Sequence, residues 1–372
     1  MTEGGFADKE LSAVILVGGG GTRLRPLTYA IPKPLIPVLN RPLIVHMLDN
    51  LRRHGVKRIV LAASASDKRM EAALGDGSEY GVNLEYCYET EPLGSGLAVK
   101  EAARRFEGPF FVCNGDVLAD LNLTEMAARH VEAGAMMSIF LASVSDPSSY
   151  GIADVDDGGR ISRFLEKPGP GQTSSRWANA GTWLFEPAVL NQIPDEKMDG
   201  SIERLVMPSL IAQGDLVLGF ASDTYWMDVG TPQRYLQIHS DLLSGSIPAW
   251  VSTTIDSEAE IGEGCQIWAD AQLGERVILG ANCRVGGQVK ISGPTVIGDN
   301  CAIREHAVID ASVLWNDVKI GAGAVVRDSI IGEGCVIGDG CVIEGSVLAN
   351  GAKVKREIHL SGARLEPDEI AG

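Results

Sequence analysis

Several common signatures are missing from this sequence, and each absence removes a class of function. No run approaches the roughly 18 apolar residues of a membrane helix, and the opening MTEGGFADKE has neither the basic flank nor the apolar core of a secretory signal. The expectation is a soluble, cytoplasmic chain with no membrane partner. Basic residues are outnumbered, 32 Lys and Arg against 49 Asp and Glu, for a formal charge of −17. That excludes a general nucleic-acid binder, whose affinity comes from basic surface neutralising phosphates. Any phosphate ligand must meet positive charge locally. The seven cysteines include no CxxC, which points to reduced thiols rather than a disulfide frame or zinc site. No Ser/His/Asp or Cys/His constellation stands out, and the six histidines do not cluster.

What is present divides into two grammars. The 372 residues suffice for two domains. Up to about residue 243, β-rich apolar runs alternate with helical patterns: SAVILV (12–17), RIVLAA (58–63), NLEYCY (83–88) and PFFVC (109–113) read as strands of a largely buried sheet. Between the first two, PLIVHMLDNLRRHG places Leu43, Ile44, Met47, Leu48 and Leu51 on one helical face, with Pro42 near its start and Gly55 as C-cap. This βαβ order predicts an α/β, Rossmann-like, mostly parallel sheet with a ligand crevice at the carboxyl ends of its strands.

From Ile261 the period becomes six. Positions 261, 267, 273, 279, 285, 291, 297, 303 and 309 are all aliphatic, and glycine follows at 262, 274, 280, 286 and 298. After a slip near Trp315 the pattern resumes. A hexapeptide period marks a parallel β-helix, one flat face per six residues and three faces per coil. Cys265, Cys283 and Cys301, 18 apart, should stack in successive coils about 4.8 Å apart as small buried hydrophobes. The expected domains are residues 1–245 and 254–362, joined near SGSIPAWVSTT (244–254).

The chemistry concentrates after the first strand, in LVGGGGTRLRPLT. The P-loop pattern GxxxxGK[ST] and the GxGxxG pattern both fail here. Successive backbone N–H groups leaving a strand still form an anion nest, and bare glycines let a nucleotide lie against the chain. Arg23 and Arg25 stand beside this nest, and PKP places Lys33 in a stiffened extended segment.

GGGGTRLRPLT followed by PKPLIPVLNRPLI resembles the signature of the sugar-1-phosphate nucleotidyltransferases, also called nucleotide-sugar pyrophosphorylases. EPLGSG (91–96), NGD (114–116), YG (150–151), EKP (166–168), NAG (179–181), SIERLVMP (201–208) and WMDVGTP (226–232) follow in that family's order. A C-terminal left-handed parallel β-helix also fits. Within the family, PKP, SIE…VMP and the domain pair look most like the mannose-1-phosphate guanylyltransferases.

The resemblance implies transfer of a nucleotidyl group from an NTP to a sugar 1-phosphate with release of pyrophosphate, dependent on Mg2+. It assigns nucleotide binding to Val17, Gly18, Gly19, Gly20, Gly21, Thr22, Arg23, Glu89 and Gly94. Arg23 would serve the β- and γ-phosphates and Lys33 the α-phosphate. Sugar-phosphate binding falls to Asn114, Gly151, Glu166, Lys167 and Asn179, and the metal to Asp116 and Asp228, which are 112 residues apart. Arg23, Lys33, Asp116 and Lys167 are the expected catalytic set.

Glu89 suits the adjacent N1–H and N2–H2 donors of guanine, because a carboxylate offers acceptors only. That favours GTP, with mannose 1-phosphate as acceptor and GDP-mannose as product. GSGL (94–97) and NAGTW depart from the commoner guanylyltransferase pattern, which keeps a glucose-1-phosphate uridylyl- or thymidylyltransferase as the alternative. A catalytically silent regulatory paralogue is disfavoured, since Arg23, Lys33, Asp116, Lys167 and Asp228 are all present. A homo-oligomer built on the β-helix is expected, because assembly covers its open ends and flat faces.

Overall fold

The computed structural model describes residues 11–91, 93–195, 201–245 and 259–372. Most of the expected junction (residues 246–254) lies outside them. The chain forms two compact units. One takes in the chain up to Gly19 together with Ile44–Asp228, and the other takes in Gly20–Leu43 together with Val229–Gly372.

In chain order, the strands before the β-helix are β1 (Ser12–Leu16), β2 (Pro37–Val38), β3 (Arg41–Pro42), β4 (Arg58–Ser64), β5 (Asn83–Glu89), β6 (Phe110–Asn114) and β7 (Val117–Ala119). They continue with β8 (Met137–Ser143), β9 (Gly151–Val155), β10 (Ile161–Glu166), β11 (Trp177–Phe185), β12 (Val217–Ala221) and β13 (Trp226–Asp228). The helices are α1 (Leu43–Arg53), α2 (Arg69–Leu74), α3 (Ser95–Ala103), α4 (Leu123–Ala133), α5 (Met207–Gln213) and α6 (Pro232–Leu243).

The first unit is built on a nine-stranded sheet whose main path runs β10-β9-β11-β6-β1-β4-β5, with β8 joined to β11 and β12 to β8. Ala13, Val14 and Ile15 of β1 and Phe110, Phe111 and Val112 of β6 have no exposure. Both faces of these strands are covered, which is why they read as unbroken apolar runs. β1 pairs in parallel with β4 and β6, and β4 with β5. Their carboxyl ends therefore share one edge. The sheet is mixed beyond β6, because β11 runs antiparallel to β6, β8 and β9. In α1 burial spreads beyond the expected stripe: Val45, His46 and Asn50 are buried as well, and Met47 is half-exposed.

The second unit holds a short hairpin, β2–β3, whose two turn residues Leu39 and Asn40 have φ of 48° and 60°. This is the left-handed pair a two-residue hairpin turn demands. The unit also holds α6 and the β-helix, which runs from Glu260–Ile261 to Ile370–Ala371 on three faces of seven, seven and six strands.

The predicted cysteine ladder forms. Cys265, Cys283 and Cys301 each donate to a carbonyl one coil onward, Gly280, Gly298 and Trp315 respectively, at 3.1, 3.1 and 3.2 Å. All seven cysteines are free thiols. The single slip expected near Trp315 is instead a lasting shortening of the coil from 18 to 17 residues. Thr295–Ile297 stacks on Val277–Leu279 with an 18-residue offset, whereas Val313 stacks on Val296, and Ile330 on Val313, at 17. The shortened corner is turned by Ala311, Asp328, Gly345 and Gly362, with φ between 45° and 62°. Just inside it, Ser312, Ser329 and Ser346 are fully buried, and the Ser312 and Ser329 hydroxyls each accept from the backbone N–H of the next serine.

Candidate active site

Within the first unit the expected site residues converge through three contacts between strand ends. The NGD turn follows β6, where Gly115 N donates to Leu16 O at 2.9 Å. A Cβ on Gly115 would stand 2.9 Å from Val17 Cγ1, so only glycine lets this turn close against the end of β1. Asn114 meets β11 next. Between Asn179 and Trp183 the register of β11 shifts, and Gly181, at φ 76°, passes so close that a Cβ would lie 2.8 Å from Asn114 Nδ2. Asn179 Oδ1 accepts from Gly181 N at 2.9 Å and braces the irregularity.

The second contact joins the segments that carry the two carboxylates expected to hold metal. β13 pairs antiparallel with β7, with Asp228 opposite Val117, the neighbour of Asp116. Trp226 locks β13 in place: its Nε1 donates to Ala180 O at 2.9 Å, and its ring packs edge-on against Tyr150 at 5.5 Å. The WMD, NAG and YG motifs thus form one assembly.

The third contact is the turn after β10. Glu166 is paired with Gly151, and a Cβ on Gly151 would lie 2.8 Å from Glu166 Oε2. Lys167 is exposed and sits at φ 50°, a strained setting for a residue with a side chain, held by its N–H donating to Tyr150 O at 2.9 Å. Its Nζ lies 3.9 Å from Glu166 Oε1.

The SIERLVMP segment contributes a further carboxylate, Glu203, that its sequence pattern does not single out. Residues Ile202–Val206 form a π-helical turn, a form that recurs at functional sites. Burial raises the Glu203 carboxyl above its ordinary range, and the nearby Glu166 carboxylate pushes the same way. The turn is tied to α3, where Ser95 Oγ accepts from Ile202 N at 3.0 Å. Glu89 ends β5, and its Oε2 accepts from Leu93 N at 3.0 Å, so this carboxylate also organises its own loop. Gly94, at φ 82°, leads into the N-terminus of α3. Trp183, beside Thr182, is fully buried in the hydrophobic core, so it does not line a pocket.

The glycine run is shared out between the units. Val17 extends the β1–β4 ladder by donating to Ala62 O at 3.1 Å, and Cβ atoms on Gly18 or Gly19 would meet nothing within 4 Å. Packing within the chain does not require glycine there. Without side chains this backbone is open to the close approach of a ligand.

In the second unit Gly21, at φ 55°, starts a short 3-10 turn Thr22–Leu24 that presents Arg23 to solvent. Arg25 is drawn over the Tyr29 ring at 4.8 Å. Lys33 corrects an expectation: PKP is not extended at Lys33, because Lys33–Leu35 is a 3-10 turn and Lys33 is only 6% exposed. Its Cβ lies 3.2 Å from where a Cβ on Gly21 would be, and Thr28 Oγ1 donates to Gly21 O at 2.9 Å. Gly21, Thr28 and Lys33 form one packed corner.

Among the described residues no cluster of three or more His, Cys, Asp or Glu could hold a metal by itself. One or two carboxylates are enough for a hard cation that keeps its waters and takes its remaining ligands from substrate phosphates.

Carboxylates at strand ends and an open glycine backbone after β1, on the α/β sheet of the first unit, fit a phosphate-handling transferase. The chain belongs to the nucleotidyl transferase family, whose model matches residues 12–245, and an EIF2B subunit epsilon LbH (left-handed β-helix) domain model matches residues 261–360. It is 36% identical to the mannose-1-phosphate guanylyltransferase of Mycobacterium tuberculosis over 246 residues, covering 66% of this chain and 68% of that protein. It is 37% identical over 271 residues to the mannose-1-phosphate guanylyltransferase catalytic subunit beta of Drosophila melanogaster, covering 68% of this chain and 72% of that one. Among solved structures, HddC from Yersinia pseudotuberculosis complexed with GMP-PN superposes with a TM-score of 0.52 at 27% identity, covering 61% of this chain and 97% of that one. No described helix is long and apolar enough to cross a membrane.

Proposed function

We propose that this chain transfers the guanylyl group of GTP to mannose 1-phosphate, forming GDP-mannose and releasing pyrophosphate. The observation that carries this reading is the in-register pairing of β7 with β13, which sets Asp228 beside the Asp116 turn in a chain whose relatives bear that activity in their names. A non-bridging oxygen of the sugar phosphate attacks the α-phosphorus, and the bond to the bridging oxygen of the departing pyrophosphate breaks. The attacking phosphate is a dianion near neutral pH, since its second pKa is about 6, so no general base is needed. The work is positioning and charge neutralisation.

Asp116 and Asp228 are the residues that would hold Mg2+, which when bound neutralises charge on the reacting phosphates. Lys167 takes the sugar phosphate, while Glu166, Asn179, Asn114 and the backbone at Gly151 take sugar hydroxyls. Arg23 and the N–H groups of Val17–Thr22 take the β- and γ-phosphates, Lys33 the α-phosphate, and Glu89 with Gly94 the base. The GMP-PN bound to HddC supports a guanine nucleotide. One observation leaves room for the second reading, a uridylyl or thymidylyl donor with glucose 1-phosphate: Glu89 accepts from Leu93 N, a loop-supporting role that is independent of the base.

Seven free thiols support a reducing, cytoplasmic setting, and exposed Ile261, Trp268 and Ile370 on the β-helix support a homo-oligomer formed through it. The function is tested by pyrophosphate release over a grid of five NTPs against mannose, glucose, galactose and glucosamine 1-phosphates. The highest kcat/KM is expected for GTP with mannose 1-phosphate. A maximum at UTP or dTTP with glucose 1-phosphate establishes the second reading instead.

A further inference from the structure

The hairpin that follows Lys33 is fastened to the β-helix at two points. Tyr235 of α6 is fully buried; its hydroxyl donates to Pro37 O and accepts from Trp315 Nε1 at 3.0 Å. Trp315 lies where the coil of the β-helix shortens from 18 to 17 residues, and is itself 4% exposed. At the other end of the hairpin, Asn40 Nδ2 donates to Ile297 O at 2.8 Å.

The register of the hairpin explains why Tyr235 can reach it. Pro37 faces Pro42 at a non-hydrogen-bonded position of the ladder, one residue from the Leu43 N–H to Ile36 O bond, so the Pro37 carbonyl points away from its partner strand. The Pro37 carbonyl is left to an outside donor, and Tyr235 supplies it. Ile36, one residue earlier, donates to Lys33 O at 3.2 Å and accepts from Leu43 N at 2.9 Å. The Lys33 turn, packed against Gly21, thus hangs from the strand that Tyr235 holds. The ring of His239 packs edge-on to Tyr235 at 4.6 Å and its Nδ1 donates to Tyr235 O at 2.7 Å, fixing the tyrosine from behind.

We propose that Tyr235 and Trp315 are positioning residues for nucleotide binding: the β-helix, through Trp315, Tyr235 and Pro37, sets where Lys33 and the Gly21 corner stand. The β-helix then tunes the phosphate loop as well as any assembly. The inference rests on the reading of Lys33 as a nucleotide-phosphate ligand.

Its test uses the full chain with Tyr235→Phe, Trp315→Phe and the double variant. A buried hydrogen bond is worth about threefold to tenfold in an equilibrium. Tyr235→Phe should raise the GTP KM by about that factor while the mannose 1-phosphate KM stays within about twofold. Trp315→Phe should act in the same direction, and the double variant should be no worse than Tyr235→Phe alone, since both break one relay. Amide exchange across residues 33–43, which needs no substrate, should quicken in each variant. Unchanged exchange there, additive losses in the double variant, or equal effects on both substrates would overturn the positioning role. Quickened exchange with an unchanged GTP KM would instead remove Lys33 from the nucleotide site. Should Tyr235→Phe not fold, Trp315→Phe decides, since it leaves the Tyr235–Pro37 bond in place.

Discussion

Gly151 and Glu166 face each other across β9 and β10 so closely that a Cβ on Gly151 would stand 2.8 Å from Glu166 Oε2 and 2.3 Å from Phe164 Cζ. Both neighbours must shift to admit a methyl group, and overpacking of this kind costs about 1–3 kcal/mol. Gly151→Ala is therefore expected to raise the KM for the sugar phosphate about tenfold or more and leave the NTP KM within about twofold. Initial rates with each substrate varied in turn check this. Equal effects on both substrates would place Glu166 outside the sugar site.

The β7–β13 pairing sets Asp228 opposite Val117, the chain neighbour of Asp116. Asp116→Asn and Asp228→Asn should each raise the Mg2+ concentration needed for half-maximal turnover, with the circular dichroism spectrum unchanged. A variant that keeps full activity at limiting Mg2+ removes that residue from the metal site.

Burial and the Glu166 carboxylate raise the Glu203 carboxyl above its ordinary pKa. The folded chain then binds this proton more tightly than the unfolded chain, so stability falls as pH rises from the ordinary glutamate range through the raised value. Glu203→Gln removes that loss. Its melting temperature relative to wild type should climb between pH 4.5 and pH 8, measured at fixed ionic strength. A difference independent of pH would show that Glu203 titrates normally.

The legible and illegible parts of the sequence differ in range. The six-residue period exposed the β-helix because each coil solves the same packing problem again, down to the stacked Cys265, Cys283 and Cys301. The one-residue shorter corner stayed hidden, since Ala311, Asp328, Gly345 and Gly362 share a backbone conformation but no common side-chain type runs through all four. Apolar runs located β1, β4, β5 and β6. Nothing local indicated that β11 would run against β6, or that Asp228 would pair beside Asp116. Glu203 escaped because the signal for a π turn is tertiary. Lys33 was expected in an extended segment because proline disfavours helical geometry in the residue before it, and packing against Gly21 overrides that preference.

Glu89 accepts from Leu93 N through Oε2. A glutamine can keep this bond through its amide oxygen, so Glu89→Gln separates loop support from base reading. If the carboxylate also meets guanine N1–H and N2–H2, the amide would turn a donor toward donors. GTP kcat/KM should fall at least about tenfold, the losses for UTP and dTTP should be smaller, and the sugar phosphate KM should hold. Equal losses for all nucleotides would leave Glu89 with its loop role alone.

Donor and acceptor choice are read together in a competition experiment. The chain is incubated with Mg2+, equimolar ATP, GTP, CTP, UTP and dTTP, and equimolar mannose and glucose 1-phosphates, and the nucleotide sugars formed are separated and identified by mass and chromatography. GDP-mannose is expected as the dominant product, with pyrophosphate released in equal amount. UDP-glucose or dTDP-glucose as the main product would contradict the assignment of guanine and mannose, and no nucleotide sugar at all would contradict the assignment of the chain as an active transferase.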